Sequence, residues 1–133
     1  RSSHVLAALL RKADEARRSD ASEMVVWGSG EPRREFLHVD DLADASLFLL
    51  RNYDDPEIIN IGTGEDLTIR ELAELICQVV GFRGKLVWDR SKPDGTPRKL
   101  LDVTKINSLG WKAKIRLREG IASTYDWFRA NRR

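Results

Sequence analysis

Two arginines, a tryptophan and a glycine turn are the residues whose types and spacing could hold a ligand in this chain. They fall within Val26-Trp27-Gly28-Ser29-Gly30-Glu31-Pro32-Arg33-Arg34-Glu35-Phe36-Leu37-His38-Val39-Asp40-Asp41. Gly28, Gly30 and Pro32 force a turn between two short extended runs, and the acidic residues at 40 and 41 open a helix. A planar, permanently charged guanidinium holds a phosphate through two parallel hydrogen bonds, and Trp27 beside a glycine turn offers a flat apolar surface for a ring. The chemistry that follows is binding of a phosphorylated, ring-bearing ligand. The same residues also fit a β-hairpin with solvated arginines and a core tryptophan, and residue chemistry alone leaves both readings open.

Other reactive side chains are few. His4 falls in the first turn of a helix, where the positive end of the dipole disfavours a charged imidazole. A lone histidine there carries no catalytic assignment by itself. Cys77 shares an apolar stripe with Ala73, Ile76 and Val80, so it reads as a small buried hydrophobe rather than a nucleophile. Gly62-Thr63-Gly64 follows the apolar run Ile58 to Ile61 and precedes a helix, as a dinucleotide loop would. That fingerprint would need a glycine at Leu67, and the helix opens only at Thr68, so the glycines read as a turn that needs positive φ. From Arg90 to Lys99, Ser91-Lys92-Pro93-Asp94-Gly95-Thr96-Pro97-Arg98-Lys99 is a rigid, basic loop with hydroxyls, suited either to binding or to a solvated connection.

The elements that must position these residues follow from periodicity. Val5, Leu6, Leu9, Leu10, Ala13 and Ala16 predict a first helix, capped by Ser2 or Ser3. Strands are expected at 24–27, 36–39, 58–61 and 85–88. A helix capped by Asp40 or Asp41 should bury Leu42, Ala45, Leu49 and Leu50. Thr68-x-x-Glu71 is a capping box for a further helix, closed by Gly81. A short helix near 104–109 and an amphipathic one from Leu117, with Ile121, Tyr125 and Phe128, complete the chain. Helices alternating with short strands make the class α/β or α+β. Ile58 to Ile61 is apolar on both faces, as in a strand inside a larger parallel sheet, and that edge requires a cover.

The length of 133 residues, with 41% hydrophobic and 33% charged content, fits one domain, 1–133, with its own core. Twenty-three basic and 21 acidic residues are interspersed, so charge does not argue for nucleic acid. No apolar run approaches the ~20 residues of a membrane helix, and no signal-peptide pattern occurs. A single cysteine makes a reducing, cytoplasmic location the default. An opening at Arg1, with a helix a few residues on, leads us to expect a fragment of a longer chain.

Trp27-Gly28-Ser29-Gly30, Arg33 through Asp41, Ile59-Asn60-Ile61-Gly62-Thr63-Gly64 and Ser91 through Lys99 together resemble the C-terminal portion of the GDP-L-fucose synthases. These are extended short-chain dehydrogenase/reductases that convert GDP-4-keto-6-deoxy-D-mannose to GDP-L-fucose with NADPH. The arginine-to-Asp-Asp signature is common to many nucleotide-sugar enzymes; the Lys92-to-Lys99 loop and the Ser-His-Val opening are more particular. The resemblance implies an α/β fold, the small substrate-binding domain of such an enzyme, with the Rossmann half absent. It implies that His4 matches the catalytic histidine, which moves a proton during epimerisation beside the ketone and lies close to the nicotinamide. It also implies that Trp27 lines the nucleotide-sugar pocket, that Arg34 and Lys12 bind diphosphate or sugar, and that Lys99 and Asp94 meet the nucleotide end.

The family's cofactor loop, its Tyr-x-x-x-Lys pair with a serine, and its catalytic cysteine all precede the matching region, and Cys77 does not match that cysteine. NADPH is therefore expected to be held mainly by the absent N-terminal half, with no metal. The implied partners are a GDP-sugar, that half and a second copy of the full-length enzyme, and not nucleic acid or membrane. The isolated chain is expected to lack reductase activity. Another nucleotide-sugar epimerase, reductase or dehydratase of the same superfamily, or a stand-alone nucleotide-sugar binding module, remains an alternative.

Overall fold

The computed structural model describes residues 2–54, 59–94, 98–99 and 102–131, with 2–4 and 98–99 described by backbone alone. The order is α1 (Ser2–Arg18), β1 (Glu23–Trp27), β2 (Arg33–Arg34), α2 (Val39–Asn52), β3 (Leu67–Thr68), α3 (Ile69–Val80), β4 (Lys85–Asp89), β5 (Arg98–Lys99), α4 (Thr104–Ser108) and α5 (Leu117–Ala130). β1 and β4 form a parallel pair with Val25 opposite Val87. A second, three-stranded sheet runs β3-β2-β5, with β2 antiparallel to β3 and parallel to β5.

The hairpin reading is thereby corrected: the runs on either side of Gly28–Pro32 belong to different sheets and do not pair. The expected strand at 36–39 is also absent. Extended pairing stops at Arg34, and Val39 already belongs to α2. Residues 59–61 are irregular, and Ile58 lies outside the described residues. Leu100 and Leu101 also lie outside them, and Asp102 and Val103 are irregular.

The main core joins α1, α3 and α5 over β1. Leu9, Leu10 and Ala13 meet Met24 and Val26, Leu72 and Ile76, and Ile121 and Tyr125. β1 alternates exposed and buried residues, as a strand with one covered face must. Asp14 is 1% exposed within this core; it accepts a hydrogen bond from the Tyr125 hydroxyl at 2.8 Å, and the Arg18 guanidinium, 3.6 Å away, matches its charge. Thr68 and Glu71 make both halves of the capping box on α3, and Gly81 closes that helix at φ 88°. Neither Ser2 nor Ser3 caps α1, because the helix already includes both.

A second cluster gathers Ala45, Val103, Ile106 and Trp111, with Phe48 and Leu49 packed against it. Here α2 departs from expectation. Its cap is His38, whose Nδ1 accepts the Asp40 N–H at 3.0 Å. Asp41 is instead buried, and its carboxylate accepts the backbone N–H groups of Lys114 (3.1 and 3.2 Å) and Ile115 (2.9 Å). One side chain thus satisfies two amides of an irregular segment that has no strand to pair with. Of the stripe expected to be buried, Ala45 is buried and Leu49 packs against the cluster, but Leu42 is 44% and Leu50 82% exposed.

Asp41→Ala leaves those two amides without their acceptor and should cost about 2–3 kcal/mol of folding stability. Urea denaturation of the variant beside the parent chain checks the value.

Candidate functional site

The site is built on the turn between β1 and β2. Gly28 and Gly30 adopt φ of 96° and 80°, a region that side-chain-bearing residues rarely enter. A Cβ at Gly30 would come within 3.0 Å of Arg70 Cβ and of the Trp88 ring. This close approach lets the turn serve the start of α3: the Ile69 N–H donates to the Pro32 carbonyl and the Arg70 N–H to the Gly30 carbonyl, each at 2.9 Å. First-turn amides have no partner within their own helix, so the turn caps α3 with its backbone. The Arg70 guanidinium adds a hydrogen bond to the Ser29 carbonyl at 2.8 Å and lies 4.9 Å from the Trp88 ring centroid.

The turn also holds the loop that follows β4. Ser29 donates its N–H and its hydroxyl to the two oxygens of Asp94, at 2.9 and 2.7 Å. These bonds, the hydroxyl's first and then the amide's, with the positive charge of Arg90 beyond them, hold the Asp94 carboxyl below its ordinary range against the opposing effect of burial. A Cβ at Gly28 would lie 2.5 Å from an Asp94 oxygen, so only glycine leaves room for this tether.

Lys12, Trp27, Arg34 and Asp94 line one cavity of about 490 Å³, whose apolar walls include Val5, Ala8, Leu9, Val26, Pro32 and Ile69. The indole of Trp27 is 65% exposed, contrary to its reading as a core residue. The ammonium groups of Lys12 and Lys92 lie 5.8 and 5.1 Å from its ring centroid. Lys12 also donates to the Val25 carbonyl at 2.9 Å, which holds its charge at the cavity edge.

The two arginines part company. Arg33 Nε donates to Asp66 at 3.1 Å in an ion pair, which corrects the expectation of a solvated side chain. Arg34 donates one Nη1 hydrogen bond to the Arg33 carbonyl at 2.7 Å, and among the described residues no carboxylate pairs with it. Its remaining donors are available to an anion.

His4 lies on α1, one helical turn before Ala8 and two before Lys12, both of which line the cavity. Lys99 occupies the β5 position registered against Arg34. The side chains of both lie outside the described residues, so the structure brings together four of the six predicted site residues.

Residue spacing missed Ser29, Arg70, Lys92 and Glu35. The Glu35 carboxylate, 8% exposed, accepts the Gly64 N–H at 2.6 Å and the Thr63 hydroxyl at 3.0 Å. The glycine loop that resembles a phosphate-binding turn is therefore filled by the chain's own carboxylate, and these residues do not fit a dinucleotide. Cys77 is buried, and that burial, with Glu74 nearby, pushes its thiol up to about 11. Among the described residues no group of three or more His, Cys, Asp and Glu side chains could hold a metal, and no helix is long and apolar enough to cross a membrane.

The fold is α/β, and its solved structural neighbours are reductases and epimerases of the extended short-chain dehydrogenase/reductase class. It superposes on a GDP-L-fucose synthetase from Naegleria fowleri with a TM-score of 0.89, at 32% identity, over 96% of this chain and 40% of that one. It also superposes on a GDP-mannoheptose C4 reductase from Campylobacter jejuni with NADP bound, with a TM-score of 0.84, at 40% identity, over 94% of this chain and 44% of that one. The chain is homologous to GDP-L-fucose synthases along nearly its whole length and corresponds to their C-terminal part. It is 61% identical to GDP-L-fucose synthase 1 of Arabidopsis thaliana over 97% of its own length and 40% of that protein's. It thus spans about two fifths of the curated relatives it matches. The sequence profile of the NAD dependent epimerase/dehydratase family matches residues 1–62.

Because the Asp94 carboxyl is held below its ordinary value, the tether to Ser29 is fully present above the unfolded aspartate value of about 3.9 and is lost as pH falls through the lower folded value. The Ser29 amide resonance should report this as an acid transition with its midpoint below about pH 3.9. Asp94→Ala should abolish it, and a midpoint above that value would contradict the tether.

Proposed function

We propose that this chain is the substrate-binding part of a GDP-L-fucose synthase, acting in the NADPH-dependent epimerisation and reduction of GDP-4-keto-6-deoxy-D-mannose. The observation that carries this reading is the convergence of Lys12, Trp27, Arg34 and Asp94 on one cavity, in a chain homologous to those enzymes over nearly its whole length. In this reading residues 1–133 act as one nucleotide-sugar domain joined to a Rossmann half, in a cytoplasmic enzyme that assembles as a homodimer.

Each residue's part follows from its chemistry. The guanidinium of Arg34, with donors to spare, grips a diphosphate oxygen pair, and the Lys12 ammonium adds a second positive charge from α1. Trp27 supplies an apolar face, and Asp94, fixed by Ser29, closes the nucleotide end together with Lys99. His4, on the same helix as Lys12, would move the proton at a sugar carbon beside the ketone; a near-neutral imidazole suits that task. NADPH supplies the hydride in the whole enzyme, and its phosphates need donors that the Glu35-filled loop does not offer.

A second reading, another GDP-sugar reductase of the same superfamily, is favoured by the 40% identity to the Campylobacter heptose enzyme. The two differ in whether the product of the completed enzyme is inverted at the carbons flanking the ketone.

Calorimetric titration of the chain with GDP should give a measurable heat, and Arg34→Ala should weaken binding about ten- to hundredfold. Equal affinity of parent and variant would remove Arg34 from the pocket and the proposed binding mode with it.

A further inference from the structure

The buried carboxylate of Asp14 takes no part in the nucleotide pocket, yet it fastens α1 to α5. The buried face of α1 is otherwise made of Leu9, Leu10, Ala13 and Ala16. Aliphatic contacts of this kind are non-directional, so they hold a helix against its neighbours without fixing its rotation. The Tyr125 hydroxyl supplies the direction. It donates to Asp14 Oδ1 at 2.8 Å and accepts from Arg17 Nη1 at 3.4 Å, while Arg18 lies 3.6 Å from the other Asp14 oxygen. The tyrosine is itself held: the Arg129 guanidinium carbon lies 5.5 Å from its ring centroid, and the Phe128 ring stacks at 6.5 Å. Burial, and then the bond to Asp14, raise the value of this hydroxyl against the opposing effect of Arg17, so at neutral pH it stays a proton donor.

The place of Asp14 on α1 decides what this bond controls. At about 100° per residue, Lys12 lies about 200° around the helix from Asp14, on the side that lines the cavity. Its Nζ donates to the Val25 carbonyl at 2.9 Å and lies 5.8 Å from the Trp27 ring centroid. A rotation of α1 that carries Asp14 out of the core therefore swings Lys12 out of these contacts. A buried carboxylate that loses its donor is driven toward water, because an unsatisfied buried charge is costly. The turn after Trp27 is held separately, by the start of α3 and by Asp94. α1 can thus shift while the indole stays in place.

We propose that Tyr125 is a positioning residue of the nucleotide pocket: through Asp14 it sets the rotation of α1, and with it the place of the Lys12 ammonium beside Trp27. This rests on the proposed function for the role of Lys12 toward a diphosphate. It adds to the pocket a residue of α5 that acts from the far side of α1 and touches no ligand.

Proton NMR of the chain gives a reading that needs no ligand. In the parent, the Lys12 methylene resonances should lie upfield of ordinary lysine values because of the Trp27 ring, and Trp27→Ala should abolish the displacement. Tyr125→Phe removes only the hydroxyl and should return them more than halfway to ordinary values. Asp14→Asn keeps an acceptor for the hydroxyl and should leave them displaced. Where Tyr125→Phe does not fold, Asp14→Leu carries the same expectation of a return. Resonances that stay displaced in the variant lacking the bond, or that are ordinary in the parent, overturn the proposal. Calorimetric titration with GDP supplies the second reading. Tyr125→Phe should weaken binding about three- to tenfold, by the same factor when Arg34 is already alanine, and by nothing further when Lys12 is already alanine. An equal loss in the Lys12→Ala background means that the hydroxyl supports the fold at large, and it also overturns the proposal. If the parent chain binds no GDP, the proposed function fails, while the methylene resonances still decide whether Tyr125 places Lys12.

Discussion

The pocket depends on an exchange of hydrogen bonds between a turn and a helix nearly forty residues later. The carbonyls of Gly30 and Pro32 accept the first amides of α3, and the Arg70 guanidinium donates to the Ser29 carbonyl. Each partner would otherwise present unsatisfied backbone groups, and in an interior the cost of such groups is comparable to the bond itself. The contact therefore fixes the height of the turn above the core, and with it the positions of Trp27 before the turn and Arg34 after it. The two glycines are needed because the chain must bend with positive φ while pressed against Arg70, Trp88 and Asp94.

A second layer of control runs through carboxylates that point inward. Asp41 gathers the 114–115 segment, Asp94 gathers the loop after β4, and Glu35 gathers Thr63 and Gly64. Much of this chain lies outside regular elements, so its backbone amides cannot all be satisfied by ladders. Short acidic side chains do that work, and each joins segments distant in sequence. Arg34, between Glu35 and the ion-paired Arg33, remains without a carboxylate partner among the described residues.

How much of this is legible in the sequence depends on the range of the interaction. Local signals read well: the capping box at Thr68 and Glu71, the left-handed Gly81, the buried Cys77 and the helix from Leu117 are visible because their partners lie within a turn or two. Asp41 reads wrongly as a cap because an acidic residue at a helix start usually serves its own helix, whereas this one serves a segment more than seventy residues later. Leu42 and Leu50 read as part of a buried stripe because periodicity shows which residues avoid water, not which neighbour covers them. Arg70 and Ser29 carry no signal, since their roles rest on contacts 41 and 65 residues distant in sequence. Lys12 and Asp94 enter only through family resemblance, and both line the cavity.

The Glu35 contact has a consequence for how such loops are recognised. The Gly-Thr-Gly turn ahead of α3 offers a backbone N–H receptive to negative charge, and here the charge comes from the same polypeptide. An intramolecular ligand acts at an effective concentration on the order of millimolar or higher, so a free anion must compete against a resident that never diffuses away. The loop is in this sense a self-inhibited receptor, and its specificity for one fixed carboxylate converts a binding motif into a fastening. Glycine spacing alone does not distinguish the two uses; the acidic residue one position after Arg34 does.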